Sequence, residues 1–165
     1  MKNTSPSPSS FYTPDNYRPQ GSVAYLMLRN KSSYQRLGDL RLADLGITAA
    51  QMSVLLLVSH SEAATISSLS QALGVNAAAT VRVVQKLEKM KLIQKEPSKK
   101  DGRVIGLSLT ADGKKAAISI PPLWCDLLNQ SLNGFTQKEF DQLRDFLLRI
   151  EKNNLQQIEV SSWGA

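Results

Sequence analysis

The chain has 165 residues, of which 42% are hydrophobic and 21% charged, the profile of a soluble globular protein long enough to bury a core. One cysteine, Cys125, and one histidine, His60, exclude an intrachain disulfide and leave too few ligands for a structural zinc site, so no metal is expected on those side chains, which leaves carboxylates as the other route to one, and no cofactor is expected. The net charge is +6, and Arg82–Lys115 alone holds ten basic residues against four acidic ones, which equals the whole excess and marks a candidate face for a polyanion.

In chain order, residues 1–20 contain four prolines among Ser, Thr and Asn and read as a flexible arm. The first ten residues lack an apolar h-region, so no signal peptide is readable and a cytoplasmic protein follows by default. The densest apolar run, Val54–Val58, falls far short of the roughly 18 residues that a membrane span needs, so no membrane partner is expected. A helix is expected from Ser22 to Leu45, with Gly38 as a place to bend and Gly46 as its stop. Thr48-Ala-Ala-Gln51 is a capping box opening a second helix that runs to about His60. Thr65 or Ser67 starts a short third helix carrying Leu69, Ala72 and Leu73, ended by Gly74.

Asn76 caps the next helix, Ala77 to about Met90, where Thr80, Val83, Val84 and Leu87 form a core-facing stripe. Two strands, Lys91–Glu96 and Val104–Thr110, flank the turn Pro97–Gly102; Ile105, Leu107 and Leu109 alternate with Gly106 and Ser108. Thr110 or Asp112 caps a long helix reaching Leu132, with a bend expected near Pro121-Pro122. Thr136-Gln-Lys-Glu139 is a further capping box, opening a last helix lined by Phe140, Leu143, Leu147 and Ile150.

Two short helices, a tight glycine turn, a third helix with a polar outer face and a basic-tipped hairpin make one coherent device. The DNA major groove is about 12 Å wide and admits a single helix, provided that other elements support it. The hairpin tip follows the reading helix in sequence and can reach the flanking backbone or the minor groove, where arginine meets concentrated negative potential. No Gly-rich phosphate loop, nucleophile elbow or metal-ligand cluster is present, so an enzyme is not expected.

At these residues the chain resembles the MarR (multiple antibiotic resistance regulator) family of winged helix-turn-helix transcriptional regulators. The match runs through Leu45-Gly-Ile-Thr-x-x-Gln51, Leu69-x-x-x-Leu-Gly-Val75 and Leu87-Glu-Lys89 to the wing. There Asp101-Gly-Arg-Val-Ile-Gly-Leu-Ser-Leu-Thr-Ala-Asp-Gly113 keeps every fixed position of the family's Asp-x-Arg-x-x-x-Leu-x-Leu-Thr-x-x-Gly pattern. One departure is Lys91, which stands where the family usually has glycine; lysine is costlier at a positive backbone angle, so a local change of turn or a longer helix is expected.

The resemblance implies a mainly α fold with a small β-hairpin wing, a winged helix-turn-helix joined to a helical dimerisation bundle. Residues 1–20 would be the arm, 21–46 and 111–160 the dimerisation region, and 47–110 the DNA-binding region. On the reading helix, Asn76, Ala77, Ala78, Val81, Arg82, Gln85 and Lys86 fall where the family faces DNA. Arg82 and Gln85 suit base-edge contacts, while Ala77, Ala78 and Val81 can at most touch thymine methyl groups. On the wing, Lys99 and Lys100 join Arg103, which aligns with the family's minor-groove arginine, and Asp101, its carboxylate partner; Asp101 also reads simply as a turn aspartate before glycine. Lys89 reads as ordinary solvated charge.

The partners implied are double-stranded DNA carrying a pseudo-palindromic operator, a second copy of the chain, and a small-molecule effector, aromatic and anionic for many members. The location implied is the cytoplasm of a bacterium or archaeon, at the nucleoid. The last helix agrees with a homodimer, since Phe140, Leu143, Phe146, Leu147, Ile150, Leu155 and Ile158 spread over more than one narrow stripe. Tyr25, Arg29, Tyr34, Met52, His60 and Trp124 are candidates to line an effector crevice, although each also reads as plain core or surface. Cys125 has no adjacent cation to lower its pKa and is expected to be an inert core thiol. The competing reading is an architectural protein that coats DNA with little sequence preference, which the apolar Ala77, Ala78 and Val81 favour.

Overall fold

The computed structural model describes residues 11–97 and 104–162. Among them are six α-helices and one hairpin: α1 (Val23–Arg41), α2 (Ala49–Ser59), α3 (Ile66–Leu73), α4 (Ala77–Lys89), β1 (Ile93–Pro97), β2 (Ile105–Leu109), α5 (Ala111–Ser131) and α6 (Gln137–Ser162). This is the expected mainly α chain with a hairpin wing, a winged helix-turn-helix. It divides into two compact units, Met1–Leu123 and Trp124–Ala165. The division falls inside α5, after Leu123 and one residue beyond Pro121-Pro122, where two successive residues lack an amide donor for the helical ladder.

Of the segment 1–20, the residues described are hydrogen-bonded locally. Tyr17 N donates to Thr13 O at 2.9 Å, and a 3-10 turn spans Pro19–Gly21. The Tyr12 hydroxyl accepts from Val23 N at 3.0 Å, beside the Ser22 side chain that caps α1. The helix expected to reach Leu45 ends at Arg41, and a 3-10 turn, Ala43–Leu45, follows before Gly46 closes it at φ 67°. Leu42 accounts for the early end. It leaves helical angles and is completely buried, a gain of about 1.5–3 kcal/mol against roughly 1 kcal/mol for a helical hydrogen bond.

The box at α2 forms as read: Thr48 N donates to Gln51 Oε1 at 2.8 Å and Gln51 N to Thr48 Oγ1 at 3.3 Å. Asp39 on α1 adds an acceptor for Ala49 N at 2.7 Å, so α1 also serves the start of α2. Helix α2 packs against α1, α3, α4 and β2. The core of this unit joins Leu42, Val54, Leu55, Val84, Leu87, Ile93 and Ile120. In the hairpin, Ile93 pairs with Leu109 and Gln94 with Ser108, so Ile93, Leu107 and Leu109 share one face and Gln94, Glu96 and Ser108 the other. Leu107 N donates to Ala64 O at 2.9 Å, which ties the segment before α3 to the free edge of β2.

In the second unit, Thr136 N donates to Glu139 Oε2 at 2.8 Å and Glu139 N to Thr136 Oγ1 at 3.3 Å, the reciprocal box expected there. The Thr136 backbone amide, then its hydroxyl, hold the Glu139 carboxyl below its ordinary pKa. No residue of α6 from Gln137 to Glu159 is buried. Cys125 is exposed, not a core thiol. Leu127 explains the difference: two residues on, about 200° round the helix, it takes the inward position at 2% exposure.

Candidate nucleic-acid interface

Helix α4 is held at its start, middle and end by groups that leave its outer face clear. Asn76 Oδ1 accepts from Ala79 N at 2.8 Å and closes the first turn. Thr80, Val84 and Leu87 sink into the core at 1%, 1% and 0% exposure. The Ser70 hydroxyl of α3 donates to Thr80 Oγ1 at 2.8 Å, fixing α4 against the helix that supports it. At the far end Glu88 meets Lys95 Nζ of β1 at 2.8 Å. That ion pair also neutralises the one carboxylate of α4, so the helix keeps an uncompensated positive face.

The outer positions follow from the inner ones. Ala77, Ala78, Arg82, Gln85 and Lys86 are exposed and Val81 half-buried. Ala78, Arg82, Gln85 and Lys86 repeat at three- and four-residue spacing, so they share one face. Arg82 and Lys86 carry no ion pair among the described residues. Asn76 is exposed and spends its side-chain carbonyl oxygen on the cap. The remaining DNA-facing expectations, Lys99, Lys100, Asp101 and Arg103, lie outside the described residues.

The root of the wing explains the fixed positions of the sequence pattern. Thr110 Oγ1 donates to Lys91 O at 2.6 Å and accepts from Gly113 N at 3.0 Å, while Thr110 N donates to Leu92 O at 3.1 Å. Gly113 lies so close to the Leu92 carbonyl that a Cβ there would collide with it. Lys91 adopts φ 59° and is the one non-glycine residue with positive φ among those described. The turn is therefore kept, not altered, and lysine carries the strain, about 1–2 kcal/mol for a left-handed residue with a side chain.

The six candidates for an effector crevice do not converge. Met52 is in the core at 4% exposure, which removes it from any open crevice. Tyr25 and Arg29 line a shallow groove of about 260 Å³ along α1, with the guanidinium 6.0 Å from the ring centre. Tyr34 and Trp124 are half-buried and line neither cavity described in this section. His60 lines a larger cavity of about 790 Å³ between the end of α2, the wing and α5. Glu62, Glu96, Ser108 and Lys114 line it as well. They come from four separate segments, and only the strand alternation around Ser108 gave any hint of a shared face. Among the described residues no cluster of His, Cys, Asp and Glu is suited to a metal ion, and no helix is long and apolar enough to cross a membrane.

Comparison with known proteins agrees with this geometry. Residues 47–105 match the profile of the MarR family. No curated protein matches the chain at a significant level. Among solved structures, a mutant MarR from E. coli complexed with operator DNA is 26% identical, with a TM-score of 0.69 over 77% of this chain and 91% of that one. The S. aureus MepR–DNA complex is 18% identical, with a TM-score of 0.72 over 82% and 99%. CouR from Rhodococcus jostii bound to p-coumaroyl-CoA is 18% identical, with a TM-score of 0.72 over 81% and 94%. The last two show a shared fold.

Proposed function

We propose that this MarR-family winged helix-turn-helix protein is a transcriptional repressor that binds a pseudo-palindromic duplex operator as a homodimer and is released by a small ligand. The observation that carries the reading is the outer face of α4, where Arg82, Gln85 and Lys86 are exposed and unpaired among the described residues while the inner face is locked into the core. A helix presented in this way suits the major groove, with arginine bidentate to guanine and glutamine to adenine. On this account Lys99, Lys100 and Arg103 act on the flanking phosphates and minor groove, with Asp101 steadying Arg103.

Support for the dimer comes from α1 and α6, which turn apolar residues to solvent: Leu28 is 63% exposed, Leu40 74%, Leu155 53% and Ile158 63%. Surfaces of that kind call for a partner, and a two-fold partner places two reading helices on half-sites about 10–10.5 base pairs apart, centre to centre. One observation favours a second reading, an architectural DNA-binding protein of low specificity. Ala77 and Ala78 occupy the exposed first turn of α4 and offer no side-chain hydrogen bond to a base edge.

Footprinting over random genomic fragments separates the two. A repressor protects few sites with regular half-site spacing, and log affinity falls linearly with log salt as counterions are released. Protection of many unrelated sequences with equal strength identifies the coating protein instead.

A further inference from the structure

The geometry points to a ligand site for an aromatic cation in the cavity behind the wing. The cavity measures about 790 Å³, within the usual range for small-molecule sites, and every residue lining it belongs to the first compact unit. Three walls border it, and it is open to solvent on the remaining side. The hairpin supplies the face on which Glu96 and Ser108 stand, the turn after α2 supplies His60 and Glu62, and α5 supplies Lys114, Ile118 and Pro121 at helical spacing.

The chemistry of the walls selects the occupant. Ile118 is 76% exposed, and with Leu56 and Pro121 it offers an apolar surface for a ring. Among the described residues, Glu62 and Glu96 carry no ion pair or hydrogen bond, and Lys114 is the one lysine or arginine of the lining. Among the described residues the lining therefore sets two carboxylates, Glu62 and Glu96, against one lysine. His60 Nδ1 lies 2.8 Å from Leu56 O and 3.0 Å from Ser59 Oγ, which holds the ring at the edge of the cavity. The Ser108 hydroxyl adds a buried oxygen with no hydrogen-bond partner among the described residues. Acceptors and carboxylates round an apolar wall suit an ammonium group on an aromatic body and disfavour an aromatic carboxylate. That the occupant acts as an effector rests on the DNA-binding reading above; that it binds does not.

The test is calorimetric titration of the full chain, free of DNA, with three ligands of one shape: 1-naphthylmethylamine, 1-naphthalenemethanol and 1-naphthoate. The amine is expected to bind about tenfold or more tighter than the carboxylate, a difference on the scale of one charged contact. Glu62→Gln combined with Glu96→Gln should abolish the amine's advantage over the alcohol and leave the alcohol unchanged. Ile118→Ser should weaken all three. These positions are exposed or half-buried, and an unchanged melting temperature confirms that each variant folds. Equal or tighter binding of the carboxylate, an amine affinity untouched by the double substitution, or no heat from any ligand overturns the proposal. None of these outcomes depends on whether the protein binds DNA.

Discussion

Helices α2 and α6 both carry many apolar residues, in a nearly continuous run in α2 and at helical spacing in α6, yet they end in opposite situations. Eleven residues make α2, and Met52, Val54, Leu55 and Val58 among them are buried. Twenty-six make α6, where Phe146 is 50% exposed, Leu155 53% and Ile158 63%. The spacing of apolar residues shows that a face tends to leave water; it does not show what covers that face. For α2 the cover is α1, α4 and β2. For α6 we assign it to a second copy of the chain, and substitution can separate the two cases.

The largest effect is expected on the covered side. Leu87→Ala empties a fully buried position of α4 and should cost about 2–5 kcal/mol in urea unfolding. On the exposed side, Leu143→Ser with Leu147→Ser should leave the far-UV circular dichroism intact while weakening the dimer by about 2 kcal/mol or more, some 30-fold in dissociation constant by sedimentation. A doubly substituted chain that still dimerises at micromolar concentration removes α6 from the interface.

Smaller effects sharpen the contrast. Gly113→Ala forces a methyl group onto the Leu92 carbonyl and should destabilise the wing root by about 1–3 kcal/mol. Lys91→Gly should work in the other direction, since relief of the left-handed lysine exceeds the extra chain entropy of glycine, for a net gain of about 0.5–1 kcal/mol. The smallest concerns the cap of α6. Because the Glu139 carboxyl is held below its ordinary pKa, its contribution is complete above the unfolded value and fades as pH falls through the folded one. The amide signals of Thr136 and Glu139 should report fraying of that turn in acid, and Glu139→Gln should remove the pH dependence.

Local chemistry was legible in the sequence wherever partners lie close along the chain. The boxes at Thr48/Gln51 and Thr136/Glu139, the Asn76 cap and the stop at Gly74 all formed as read, because each is a contact over a few residues. The stripe Thr80–Val84–Leu87 was legible for the same reason, and with it the outer face bearing Arg82, Gln85 and Lys86. What was not legible depends on distant pairing. Asp39 reaching Ala49 requires the docking of α1 on α2, Glu88 reaching Lys95 the path of the chain from α4 into β1, and the meeting of Glu62, Glu96 and Lys114 at one cavity the placing of the hairpin beside α5. Lys91 shows a third case: the sequence marked the conflict with the turn, and only the surrounding bonds of Thr110 decided that the turn prevails.

The central claim is that the outer face of α4 reads DNA, and Arg82 tests it most directly. The measurement is a fluorescence-anisotropy titration, at one fixed salt concentration, of parent and Arg82→Ala on an operator fragment and on a shuffled duplex of equal length. The account predicts that operator binding weakens by about 1–3 kcal/mol, that the shuffled duplex loses clearly less, and that circular dichroism and size are unchanged. Equal losses on both duplexes would make Arg82 a phosphate contact alone, and an operator affinity equal to that of the parent would contradict the claim.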